Sequence, residues 1–257
     1  MNRQIPQGKK IYFASDFHLG APNHQKSHER ERRIIRWLDS IRHDAEIIFL
    51  VGDLFDFWFE YKRTVPKGFV RFLGKLAEIR DSGIEIIVFT GNHDMWMDDY
   101  FETELNIKTY RKPQNFVFNE KKFHIAHGDG LGPGDYKYKV LKRIFEGKVP
   151  RFLFNRVMHP NLGLFLGSAW ARHSWQSHDK ETEIERFLGE EREFLILYSK
   201  EIESQNHHDF YIFGHRHLKL DFRINDSSRY INLGDWIVFN SYAVFDGEDV
   251  TLLEFKL

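Results

Sequence analysis

Five short apolar runs in this chain end on the same kind of polar punctuation. "KIYFAS" at 10–15 runs into Asp16-Phe17-His18, and "EIIFLVGD" at 46–53 ends in Gly52-Asp53. "IEIIVFTGNHD" at 84–94 ends in Gly91-Asn92-His93-Asp94. The run at 122–127 ends in His127-Gly128-Asp129, and the run at 209–214 in Gly214-His215-Arg216-His217. Runs of this length, rich in Ile, Val and Phe, predict buried strands. Between the first three runs lie helical patterns. Ile34, Ile35, Leu38 and Ile41 share one face of a helix over 28–43, and a second helix around 67–82 is ended by Gly83. Strand–helix–strand units with right-handed crossovers make a parallel sheet, and ligand sites in such sheets lie at the carboxyl ends of the strands. Each polar cluster alone is a weak signal. Five from separated stretches, alike in type, point to one shared site.

The second half has a different rhythm. Strands are expected at 115–119 and 122–127, joined by "NEKK", and again at 209–214, 229–233, 236–245 and 249–256. Their spacing predicts a second sheet with antiparallel character. Residues 136–203 read as mostly helical. The chain, 1–257, is therefore read as a single domain with a helical cap inserted at about 131–203. Phe is abundant, at 25 of 257 residues, which predicts an aromatic core.

There are no cysteines, so a bound metal would rely on His, Asp, Glu or Asn. The net charge of −1 gives no global case for a nucleic-acid partner, and none is expected. "MNRQIPQGKK" lacks a signal-peptide core and no run of about 18 apolar residues occurs, so the cytoplasm is the expected compartment.

The residue types suit metal chemistry. Asp16 and His18 are spaced to chelate one ion, and His215 and His217 either do the same or split between two. Asp53 has two oxygens with which to bridge, Asn92 offers a neutral carbonyl, and His127 completes a second site. Glycines before Asp53, Asn92 and His215 let the backbone come close. An all-N/O donor set suits Mn²⁺, Zn²⁺ or Fe. Two such ions about 3.5–4 Å apart clamp a phosphoryl group and activate a bridging hydroxide. His93, beside Asn92, is free of metal in this scheme and can donate to the phosphate, with Asp94 as its orienting carboxylate.

Together "SDFHLG", "VGDLFD", "TGNHD", "AHGDG" and "FGHRH" resemble the signature of the calcineurin-like metallophosphoesterase superfamily. The resemblance implies an α/β fold, a four-layer α-β-β-α sandwich of two mixed sheets, with two metals between them. Asp16, His18, Asp53 and His217 match its first metal site, and Asp53, Asn92, His127 and His215 its second. "GDLFDFW" (52–58) and "HGDGLGPGDYKY" (127–138) are similar to a narrower branch, the UDP-2,3-diacylglucosamine pyrophosphohydrolases of lipid A biosynthesis. That implies hydrolysis of a nucleotide-linked lipid to UMP and 2,3-diacylglucosamine 1-phosphate, Mn²⁺ as the usual activator, and Asp135 and Tyr138 at the substrate. The better-known members have Arg after the metal-binding Asn; this chain has His93, the general pattern of the superfamily.

Residues 136–172 hold eight Lys or Arg and one acid, a net of +7, interleaved with Phe and Leu. A basic, apolar surface suits the inner-membrane interface or an acylated pyrophosphate, and the same pattern also describes a core face with solvated lysines. The resemblance favours the peripheral, lipid-facing reading. Arg172, Ser174 and Lys180 in "ARHSWQSHDK" offer further donors to phosphate or uridine. The acidic tract 179–193 reads as a solvated helix face. Asp235 in "NLGDW" reads as a turn cap, and His207 and His208 as surface. Two alternatives stand beside the lipid substrate: the same chemistry on another nucleotide or phosphodiester, and a scaffold protein that keeps the fold without turnover.

Overall fold

The structure is a computed structural model. It describes residues 1–134, 136–145 and 186–256, together with 147, 152, 159, 161–163 and 167. Within them twelve strands form two six-stranded sheets. The first sheet contains β2 (Lys10–Ala14), β3 (Ala45–Val51), β4 (Glu85–Phe89) and β5 (Lys108–Tyr110), all parallel, with β11 (Ser241–Phe245) antiparallel beside β2 and β12 (Val250–Glu254) antiparallel beside β11. The second has the order β1 (Asn2–Arg3), β6 (Gln114–Phe118), β7 (Lys121–Ala126), β8 (Phe210–Phe213), β10 (Arg229–Leu233), β9 (Lys219–Arg223). In it β7, β8 and β10 run parallel, while β6 and β9 pair antiparallel with β7 and β10.

The two sheets face each other across an aromatic core. Phe13, Phe49 and Phe89 from the first meet Phe116, Phe118, Phe123 and Phe210 from the second. Phe13 stacks on Phe49 with centroids 5.2 Å apart, and Phe123 meets Phe245 edge-on at 5.0 Å. Each buried ring of this size contributes about 1.5–3 kcal/mol by leaving water, so the phenylalanine surplus serves the core. On the outer face of the first sheet lie α1 (His24–Ile41) and α2 (Val70–Asp81). The α1 stripe Ile34, Trp37, Leu38 and Ile41 packs with Phe72 and Leu76 of α2 over Ile48, Leu50 and Val88. Asn23 caps α1 by accepting from the Lys26 amide at 3.0 Å, which starts the helix at His24, four residues ahead of the expected residue 28. The short α3 (Tyr100–Thr103) leads into β5, and α4 is Tyr136–Phe145. Across the second sheet, α5 (Phe194–Gln205) sets Leu195 and Ile196 against Tyr211, Phe213 and Tyr230. The layers are thus helix, sheet, sheet, helix, as expected.

Several local expectations need correction. The strand expected over 236–245 begins only at Ser241, because Asp235 Oδ1 accepts from the amides of Ile237, Val238 and Phe239 and turns the chain. β1, β5 and β9 went unread, being two, three and five residues long, and β9 alternates half-buried and exposed positions at a sheet edge. Of the acidic tract, the described residues 186–193 are turn and coil. Glu193 at its end is buried rather than solvated. His208 is buried too, its Nδ1 donating to the Asn206 carbonyl at 2.9 Å.

Candidate metal centre

All the parallel strands of the first sheet, together with β7 and β8, deliver their carboxyl ends to one edge. The loops leaving β2, β3, β4, β7 and β8 are tied to one another there by backbone hydrogen bonds. The Asp16 amide donates to Gly52 O at 3.1 Å, the His18 amide to Asp53 O at 2.9 Å, and the Gly214 amide to His127 O at 3.0 Å. Two of the glycines make room for carboxylates. A Cβ on Gly91 would sit 2.7 Å from the Asp53 amide nitrogen, and one on Gly214 would sit 2.5 Å from Asp16 Oδ2. The chain itself is bent hard at the donors. Asp16, His18, Asp53, His215 and His217 have φ between 42° and 66°, in the left-handed region. Non-glycine residues in that region are uncommon and gather at functional sites.

Among the described residues three donor groups form here, the third being His18, Asp56 and His93, which shares His18 with the first. In the first, Asp16, His18 and His217 bring ligand atoms within 4.8 Å of one another; in the second, Asp53, His127 and His215 do. His217 Nε2 lies 3.3 Å and His18 Nε2 3.7 Å from Asp16 Oδ1, and the two Nε2 atoms are 3.2 Å apart. Asp53 Oδ2 sits between the groups, 3.2 Å from His127 Nε2 and 3.8 Å from His18 Nε2. The other Asp53 oxygen is engaged, accepting from the His93 amide at 2.9 Å, and Asp16 Oδ2 likewise accepts from the His215 amide at 3.0 Å. Oδ2 is thus the Asp53 oxygen that faces both the Asp16 and the His127 groups. The Asn92 side-chain carbonyl is buried and finds no hydrogen-bond donor among the described residues. A buried acceptor left this way normally costs stability, and it fits an oxygen reserved for a cation.

Three of these imidazoles, His127, His217 and His93, have Nδ1 beside an oxygen, which aims Nε2 inward. His127 Nδ1 donates to the Val51 carbonyl at 2.9 Å. His217 Nδ1 is 3.3 Å from Asp235 Oδ2, so Asp235 caps its turn and also steadies a histidine. His93 Nδ1 donates to the Asp56 carbonyl at 2.9 Å and is 3.7 Å from Asp56 Oδ1, which is also 3.8 Å from His18 Nδ1.

Asp94 is elsewhere. Its oxygens accept from the Gly91 amide at 2.6 Å and the Leu54 amide at 2.8 Å, so it braces the β4 loop and does not orient His93. Asp56 takes the orienting contact. Asp94 has the signature of a group shut away: burial, then the charge of Asp53, pushes its carboxyl up to about 7.

The donors also set one another's charge. Burial alone would depress the His127 imidazole, but the Asp53 carboxylate overrides it and raises the group to about 10. His217 rises to about 10 in the same way through Asp16. Burial opposes ionisation of Asp16, yet the charge of His217 holds the carboxyl well below its usual range. His215, pressed down by burial and by His127, falls to about 4 and is neutral. A divalent ion would take the place of these protons.

Of the residues expected at the substrate, Tyr138 is described: its hydroxyl donates to Asp129 Oδ2 at 2.8 Å. Asp135, Arg172, Ser174 and Lys180 lie outside the described residues. Asp129, in the "HGDG" motif, is buried and also 2.6 Å from Lys142 Nζ, so one of the basic residues of the cap faces an acid and not solvent. The aromatic residues of "GDLFDFW" serve packing: Phe55 and Trp58 are fully buried and stack at 4.3 Å beneath the loops. Sequence reasoning did not single out Asp129 or Glu193. A carboxylate two residues after His127 was the available sign for the first.

Residues 9–219 match the family described as calcineurin-like phosphoesterase. A protein named UDP-2,3-diacylglucosamine hydrolase from Porphyromonas gingivalis is 40% identical over 95% of this chain and 96% of its own length. A protein of the same name from Actinobacillus succinogenes is 24% identical over 95% of each. With the family match spanning all five loops that carry the donors, the chain belongs to the calcineurin-like phosphoesterases.

Proposed function

We propose that this chain hydrolyses UDP-2,3-diacylglucosamine to UMP and 2,3-diacylglucosamine 1-phosphate, in lipid A biosynthesis. The observation that carries the reading is the likeness to the relative named for that substrate, 40% identical along nearly the whole of both chains. The donor geometry supports the chemistry. Asp16, His18, Asp53 and His217 would hold one divalent ion, and Asp53, Asn92, His127 and His215 the other, Mn²⁺ being the proposed metal and Zn²⁺ or Fe fitting the same donors. Such a pair neutralises phosphoryl charge and lowers the pKa of bound water. The chain's own part is to fix the donors and exclude alternatives. Asp53 Oδ2 is shared between the two groups. Asp56 holds His93 by Nδ1, leaving Nε2 to meet the phosphate or its leaving oxygen. Asp94 keeps the β4 loop closed around Asn92 and His93.

The domain reading is retained: one metallophosphoesterase domain over 1–257, with a cap at about 131–203. In it Asp135, Tyr138, Arg172, Ser174 and Lys180 remain the proposed substrate contacts. Among the described residues no helix is long and apolar enough to cross a membrane. On α4, Tyr136, Val140 and Ile144 recur every four residues and are exposed, with Lys139 and Arg143 beside them. That face supports peripheral contact with the cytoplasmic side of the inner membrane.

Turnover of UDP-2,3-diacylglucosamine, followed as UMP release, should far exceed turnover of a chromogenic aryl phosphodiester by the same Mn²⁺-loaded preparation. Preference for the aryl ester, with none for the lipid, rejects the substrate and leaves a phosphodiesterase of another kind. His93→Ala should lower turnover about 10²–10⁴-fold while metal content, measured by elemental analysis, stays near two ions per chain. Loss of metal in that variant would mean His93 is a ligand and not a donor to substrate.

A further inference from the structure

The loop that carries His215 and His217 also carries Arg216, which neither the ligand set nor the substrate reading uses. Its guanidinium grips one carboxylate: Nε donates to Glu193 Oε2 at 3.1 Å, and a terminal nitrogen to Oε1 at 3.2 Å. Glu193 is 1% exposed, and its Oε1 also accepts from the Leu188 amide at 2.9 Å. Two-point pairing fixes the plane of the guanidinium as well as its place. The attraction in a buried pair roughly offsets its desolvation, so such a pair contributes little net stability, whereas losing one partner is costly.

What surrounds the pair gives it a use. Arg216 sits between two ligand candidates held at φ 66° and 49°, and its amide closes a tight turn on Gly214 O at 2.7 Å. The residues after Glu193 bear on the same histidines. The Phe194 ring stands edge-on to His215 at 6.1 Å. Leu195 fills the space beside Gly128, where a Cβ would come within 2.9 Å of it and 3.4 Å of His215 Cβ. Residues 193–195, at the start of α5, therefore touch both the "HGDG" and the "FGHRH" loops.

We propose that Glu193, acting through Arg216, is a positioning residue for the metal centre. It sets the aim of His215 and His217 and makes the start of α5 part of the frame of the site. The inference rests on the metal-centre reading given above.

The test uses the full chain as wild type, Glu193→Gln, Arg216→Lys and the double variant, each stripped of metal and titrated with Mn²⁺ and with Co²⁺. Glu193→Gln should weaken ion binding about 10–100-fold, the range for groups that hold metal ligands in place. It should also alter the visible Co²⁺ spectrum, while KM at saturating metal stays near wild type. Arg216→Lys, which keeps a buried cation against the acid, should act in the same direction. The double variant should be little worse than either, since both cut one path. Circular dichroism of the metal-free proteins checks folding, and Arg216→Lys carries the test if Glu193→Gln proves unstable. A pair that is only structural would lower the metal-free melting temperature and leave titrations and spectra unchanged; that result overturns the proposal. So would losses that multiply in the double variant. A wild-type chain that takes up no divalent ion overturns the metal-centre reading, and this inference falls with it.

Discussion

Asp53→Asn is expected to cut turnover at least about 10³-fold, the equivalent of roughly 4 kcal/mol of transition-state stabilisation, and to empty both ion positions together. The change is nearly isosteric, so the loops keep their packing. What is lost is the charge on Oδ2, an oxygen within 4 Å of both His127 Nε2 and His18 Nε2. In the metal-free chain that carboxylate is also the main counter-charge of His127. Elemental analysis alongside UMP release checks the result. A variant that retains two ions per chain, or normal turnover with one, would show that the two donor groups are independent. Replacing Asp16 should differ in kind, because among the described residues its oxygens meet the first group and the His215 amide.

The second large effect is on pH. Without metal, His127 and His217 stay protonated up to about 10, against an ordinary 6.5. Their contribution to folding stability is present in full below pH 6.5 and lost as pH rises through about 10. Asp16 and Asp53 are held below their ordinary 3.8, so their contribution is present above that value and lost as pH falls through their lowered values. The metal-free chain should therefore melt highest in mildly acidic solution. Metal uptake runs the other way. Each ion must displace a proton from a histidine, so affinity should rise about tenfold per pH unit across neutrality. Calorimetry in buffers of different ionisation enthalpy measures the protons released. Metal binding with no proton release would mean that these histidines are not ligands.

Much of this site is legible in the sequence because strand ends are. Continuous apolar runs such as "EIIFLVGD" place the following Asp at the carboxyl edge of a parallel sheet whatever the details of packing, and the seven candidate ligands were read from that rule. The misreadings share one physical cause: short-range spacing does not reveal which neighbour a polar side chain will find. Asp94 looked like a partner for His93 because it is adjacent, but adjacent residues on a turning loop point apart, and Asp94 turns inward to two amides. Glu193 looked solvated because acids surround it in the sequence; its partner, Arg216, is 23 residues away. His208 was read as surface for the same reason, since its burial comes from packing beside His124 and Tyr211. β5 and β9 lack a pattern of their own and are strands because a neighbour offers a free edge.

Five of the donor residues keep a left-handed backbone that glycine would occupy more cheaply, by about 1 kcal/mol at each position. Glycine, however, has neither nitrogen nor oxygen to offer a cation. The loops therefore carry a standing conformational debt that no single substitution can relieve without deleting a donor. Searches for sturdier versions of this protein should meet their easiest gains at the very residues it can least spare.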